Sequence, residues 1–151
     1  MKKLIITSVI LFITSCTSLQ LPLVESSILT KSKIIENLNN PKDQLYITAN
    51  KWMISVFNNA ESVIQFSDKD SGTITGKYLL QGSTAYSGGI QIDTRIFAII
   101  DIQLQDNRAK ITIKPAHEVR ANDQGKQDIL LKIDTLISNF ENSIKQQKED
   151  W

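Results

Sequence analysis

Ile90, Ile92, Ile96, Ala98, Ile100, Ile102 and Leu104 lie at every second position, broken only by Thr94. Between them stand Gln91, Asp93, Arg95, Asp101 and Gln103. Successive side chains of a strand point to opposite faces, so this alternation specifies a long strand with one buried and one wet face. Phe97 and Ile99 fall on the otherwise polar face. The rest of the chain must supply partners for this strand and cover for its apolar side.

Shorter stretches supply the partners. Glu61 to Asp68 predicts a strand, with Ile64 and Phe66 on one face. Thr73 to Leu80 predicts its hairpin partner, with Ile74, Tyr78 and Leu80 inward. Between them, Ser67-Asp68-Lys69-Asp70-Ser71-Gly72 is turn chemistry. Asp106-Asn107 turns the chain again, and Arg108 to Lys114 returns with Ile111 and Ile113 inward until Pro115. Ile28 to Asn37 is a weakly alternating first strand, and residues 82–89 read as a small Gly-rich loop.

Two helices supply the cover. Asn40 is positioned to cap the first, with Pro41 at the first helical position and Asp43 in the first turn. Leu45, Ala49, Trp52 and Val56 follow at helical spacing, and Asn58-Asn59 ends the pattern. Asp123 to Lys145 carries the stripe Ile129, Ile133, Leu136, Ile137, Phe140 and Ile144, opposite Lys, Asp, Asn, Glu and Gln. The order β-α-β-β-β-β-α, with hairpin-length connections, predicts an α+β fold. It is a two-layer, mostly antiparallel sheet with both helices on one face.

The N-terminus is built differently. Lys2 and Lys3 precede a ten-residue apolar run, Leu4 to Ile13, which is half the ~20 residues a spanning helix needs. It has the length of a signal-peptide core. Ile13-Thr14-Ser15-Cys16 then resembles the lipobox of bacterial lipoproteins. That resemblance implies cleavage before Cys16 and acylation of its thiol and new amine. Each acyl chain contributes about 0.8 kcal/mol per buried CH₂, and two or more chains anchor firmly. The expected organisation is a signal peptide over 1–15, a lipidated Cys16 with a tether over 16–27, and one domain over 28–151. Processing would leave 15 basic against 16 acidic residues. Thr17-Ser18-Leu19-Gln20 lacks acid, which by resemblance to known sorting signals favours the outer membrane, facing the periplasm.

Asp43-Gln44-Leu45-Tyr46, Lys51-Trp52, Phe57, Ser62-Val63-Ile64-Gln65, Asp68, Asp70, Gly72, Ile74 and Gly76-Lys77 together resemble a bacterial envelope domain of unknown function. That domain is assigned a TATA-box-binding-protein-like fold, and its members are secreted or lipid-anchored. The likeness covers roughly residues 28–115. It implies a β-α-sheet-α layout and no activity; a fold named after a DNA-binding protein does not carry DNA binding with it. The near-neutral charge gives no support for a nucleic-acid partner.

Constellations for chemistry are sparse. One Cys and one His exclude disulfide frameworks, Cys-cluster metal sites and multi-His sites. Asp68-Lys69-Asp70-Ser71-Gly72 opens like a calcium loop, but its Gly comes a position early and Tyr78 stands where the closing acid belongs. His117-Glu118 starts like a zinc-protease motif, but Ala121 stands in place of the second His. The Gly-rich loop lacks the Gly-Lys-Ser/Thr ending of a phosphate loop. No catalytic residue, metal or cofactor is therefore expected.

What remains is a lipid-anchored envelope domain for interaction or ligand binding. Its membrane contact is Cys16, and its partner is an envelope protein or a small ligand. Phe97 and Ile99 on the open sheet face, with Tyr86 in the loop, are the candidate partner-binding residues. The alternative is a small periplasmic hydrolase with dispersed acids such as Asp93 and Asp101. Those two are eight residues apart on one strand, about 27 Å if extended, too far for paired acid–base work.

Overall fold

The alternating stretch is not one strand: Ile96–Gln105 runs inside the main sheet, while Ile90–Asp93 leaves it for a separate ribbon. The structure, a computed structural model, describes residues 21–58, 62–82 and 84–146. The elements in chain order are β1 (Leu23–Val24), β2 (Lys31–Ile35), α1 (Lys42–Val56), β3 (Val63–Asp68), β4 (Thr73–Gln81), β5 (Thr84–Ser87), β6 (Ile90–Asp93), β7 (Ile96–Gln105), β8 (Arg108–Pro115), β9 (Val119–Arg120) and α2 (Asp123–Lys145). Five of them form an antiparallel sheet in the order β2-β8-β7-β4-β3.

Both helices cover one face of this sheet. Ile74 from β4, Ala98, Ile100, Ile102 and Leu104 from β7, and Ala109, Ile111 and Ile113 from β8 are buried there. Leu45, Ala49, Trp52 and Met53 of α1 meet the α2 stripe Ile129, Ile133, Leu136, Ile137, Phe140 and Ile144 above them. Trp52 and Phe140 join the helices edge to face, with ring centroids 5.0 Å apart. Gly76 lets α1 approach β4 closely: a Cβ there would lie 2.5 Å from Cε2 of Phe57. On the edge strand β2, Lys31 and Lys33 point to the helix side and pair with Asp134 and Glu141 of α2. Hydrogen bonds from Lys145 and Lys33 hold the Glu141 carboxyl below its ordinary value.

The two-layer α+β architecture with both helices on one face is as the sequence predicts, and α2 has the expected bounds. Several local expectations are corrected. The 82–89 segment is not a plain loop: β5 and β6 form a separate two-stranded ribbon, turned at Gly88-Gly89, where both residues take positive φ. Ile90 is therefore 69% exposed at the ribbon's tip and takes no part in the buried row. A β-bulge between Ile64 and Phe66 puts these two residues on opposite faces. Ile64 lies opposite Gly76 on the helix side, and Phe66 opposite Thr75 on the open side. Within the expected tether, Leu23–Val24 pairs with Val119–Arg120 and Val24 is buried, so the domain's packing starts ahead of residue 28.

The first helix is capped by a different residue from the one its local sequence offers. Pro41 occupies the cap position with extended backbone and no side-chain cap, while Asn40 Nδ2 donates to the Leu38 carbonyl. The cap comes from the distant β7–β8 turn. Asp106 Oδ1 accepts from the Lys42 N–H at 2.8 Å, and the Asn107 N–H donates to the Asn40 carbonyl. Asp106→Ala should therefore destabilise the fold by about 1 kcal/mol, the usual cost of a lost N-cap. That corresponds to roughly 4 °C in Tm for a domain of this size. Thermal unfolding measures it, and Asn40→Ala serves as the comparison expected to cost less.

Candidate functional site

Three surfaces carry the residues that matter. The first is the sheet face the helices leave bare. Thr73, Thr75, Lys77 and Leu79 of β4 alternate across it with Phe97, Ile99, Asp101 and Gln103 of β7, and Thr112 and Lys114 of β8 continue it. Phe97 and Ile99 lie on this open face, as their position in the alternation implies, and both are half-buried. Phe97 is roofed: Lys77 Nζ stands 4.0 Å from the ring centroid and the Arg95 guanidinium 5.8 Å. Asp101 has one buried carboxylate oxygen, Oδ1, without a hydrogen-bond partner. At the outer margin lies β3, whose residues 63–67 are all exposed; Val63 is 47% and Phe66 52% accessible. Among the described residues β3 pairs only with β4, so its outer edge is open.

The second surface surrounds the ribbon. Tyr86 lies in β5 opposite Gln91 of β6; its side chain lies outside the described residues. Asp93 grips Arg95 in a two-point pair, with Nε to Oδ1 at 2.9 Å and Nη2 to Oδ2 at 2.7 Å, and also accepts from the Arg95 N–H. These bonds pull the Asp93 carboxyl down to about 2. Asp93 is thus in the ribbon and Asp101 in the main sheet. His117 and Glu118 border a narrow crevice with Arg95, Phe97 and Val119. The Asp68–Gly72 segment is a tight turn in which Asp68 Oδ1 accepts from the Asp70 N–H. Cys16 lies outside the described residues.

The third surface is a cleft of about 430 Å³ between the two layers, and the sequence gives no local sign of it. The end of α1 contributes Ser55, Val56 and Asn58. The strand β4 contributes Tyr78 and Leu80, and α2 contributes Lys132, Thr135, Leu136 and Asn139. The Tyr78 ring packs against Phe57 at 5.7 Å between centroids. A bulge between Leu79 and Gln81 drops Leu80 out of the ladder, and the Leu80 carbonyl accepts from Lys132 Nζ at 3.2 Å.

The chain is thus a two-layer α+β domain, an antiparallel sheet with a helix pair on one face and the other face open. Residues 32–117 match the family model described as a domain of unknown function (DUF4468) with a TBP-like fold, and the chain belongs to that family. Solved structures agree. A DUF4468 family protein from Bacteroides ovatus superposes with a TM-score of 0.57 at 16% identity, covering 81% of this chain and 89% of that one. A TBP-like protein from Parabacteroides distasonis gives 0.59 at 14% identity, covering 79% and 94%. At such identities the likeness shows the fold alone. No curated protein sequence matches this one.

The Asp93–Arg95 pair yields a titration prediction. Asp93 should titrate near 2 and move back toward 3.8 in Arg95→Gln, as read from side-chain carboxyl shifts by NMR. The sign follows from a lowered pKa: the pair's contribution is present above about 3.8 and fades as pH falls through 2.

Proposed function

We propose that this protein is a lipid-anchored, non-catalytic binding module of the bacterial envelope that takes an extended segment of another envelope protein along β3. The anchor rests on Leu4 to Ile13 followed by Thr14-Ser15-Cys16, with Cys16 as the acylated residue and the periplasmic face of the outer membrane as its location. The observation that carries the binding reading is the unpaired edge of β3, with Val63 and Phe66 exposed beside it. An edge strand presents a row of free N–H and C=O groups, and folded proteins usually blunt such edges with charge or Pro. From Val63 to Ser67 this strand carries neither, although Asp68 ends it and a bulge at Ile64/Phe66 interrupts its ladder. The opposite edge, β2, carries Lys31 and Lys33.

A strand added to β3 gains main-chain hydrogen bonds, and apolar side chains at alternate positions meet Val63 and Phe66. Phe97 and Ile99 lie further in on the same face and extend this contact toward the sheet centre. Tyr86 belongs to the separate ribbon and is a secondary candidate contact.

The test uses the full chain in its native host, with a photo-crosslinking residue in place of Gln65. A discrete crosslinked envelope protein is expected. It should disappear in Val63→Lys/Phe66→Lys, two exposed positions whose change leaves the fold intact. Cys16→Ser should abolish incorporation of labelled palmitate and release the protein from the membrane fraction. Absence of a discrete crosslink, or one unchanged in the double variant, overturns the edge-binding reading. Continued acylation of Cys16→Ser overturns the anchor.

A further inference from the structure

We propose that the cleft between α1, β4 and α2 is a binding site for a small amphipathic carboxylate, with its acid group on Lys132 and its apolar body against Tyr78. This site is separate from the β3 edge and does not depend on it.

The volume suits the ligand class. About 430 Å³ falls in the range of small-molecule sites, and the described lining joins an apolar and aromatic half to a polar half. Val56, Tyr78, Leu80 and Leu136 supply the apolar and aromatic surface, and Ser55, Asn58, Thr135 and Asn139 supply hydrogen-bonding groups. The charge is one-sided. Among the described lining residues Lys132 is the only Lys or Arg, and none is Asp or Glu.

The chemistry of that lysine points to an anion. An ammonium has three N–H donors. One is spent on the Leu80 carbonyl at 3.2 Å, a bond that turns the head toward β4. Lys132 makes no ion pair among the described residues. Two donors remain on this exposed side chain for a ligand, beside a lining that is part polar and part apolar. The bulge at Leu80 is the device that holds the ammonium there, because a carbonyl in the regular ladder would be committed to the neighbouring strand. The anchored side chain loses little further freedom on binding.

A carboxylate with a short apolar or aromatic body meets both halves of the site, and a dianion or polyanion has only one cation to meet. Saturation-transfer NMR on the full chain in lipid nanodiscs, with empty nanodiscs as blank, tests this. The probes are 3-phenylpropionate and its uncharged counterpart 3-phenylpropanol. The carboxylate is expected to bind about tenfold more tightly than the alcohol, the scale of one charge-assisted hydrogen bond. Lys132→Gln should erase that difference and leave alcohol binding as it was. Asn139→Trp, an exposed change that fills the mouth, should abolish both signals. Equal binding of the two probes, a Lys132→Gln variant that keeps the preference, or no saturation of either probe would each overturn the proposal. A circular-dichroism melt of each variant establishes that the fold is intact.

Discussion

The structure depends on burying one face of a five-stranded sheet under two helices. Eight side chains of β4, β7 and β8 lie at or near zero accessibility on that face. Each fully buried Ile or Leu contributes roughly 1.5–3 kcal/mol relative to exposure, so the core outweighs every polar contact described here. The exposed ion pairs of Lys31 and Lys69 are worth at most about 1 kcal/mol each. The Trp52–Phe140 contact lies where the helices meet. Truncating either ring in such a core typically costs about 3–5 kcal/mol. The charged side chains of α2 decorate a helix whose position is already decided by its apolar stripe.

That dependence explains what was legible in the sequence. The α2 stripe and the β7 row obey one period each over many residues, so helix, strand and buried faces could all be read directly. Other features depend on contacts across the chain. The cap of α1 comes from Asp106, 64 residues beyond Lys42, and nothing near Asn40 announces it. The bulge in β3 moves Phe66 to the open face, although strict alternation assigns it the face of Ile64. The ribbon of β5 and β6 was hidden because Gly82 to Gly89 has loop composition, while Ile90 to Asp93 continues the alternation of β7 and reads as one strand with it.

The candidate sites divide in the same way. Phe97 and Ile99 could be placed on the open face because they break a regular alternation. Their setting was not readable: Phe97 lies under Lys77 and Arg95, and Lys77 belongs to another strand. Lys132 gave no signal at all. On a helical wheel it is one more cation on the polar side of α2. Only the bulge at Leu80 and the end of α1 turn that flank of the helix into the wall of a cleft.

The two candidate surfaces make different physical demands. An edge strand binds through main-chain groups that any sequence possesses, so its selectivity must come from the side chains beside it, here Val63 and Phe66. A cleft with one held ammonium selects by charge first and shape second. The sheet also keeps them apart, since the cleft lies on the helix side and the exposed side chains of Val63 and Phe66 on the other. Strands β4 and β3 are neighbours over Thr73–Lys77 only, and the cleft residues Tyr78 and Leu80, with the bulge, lie beyond that paired segment.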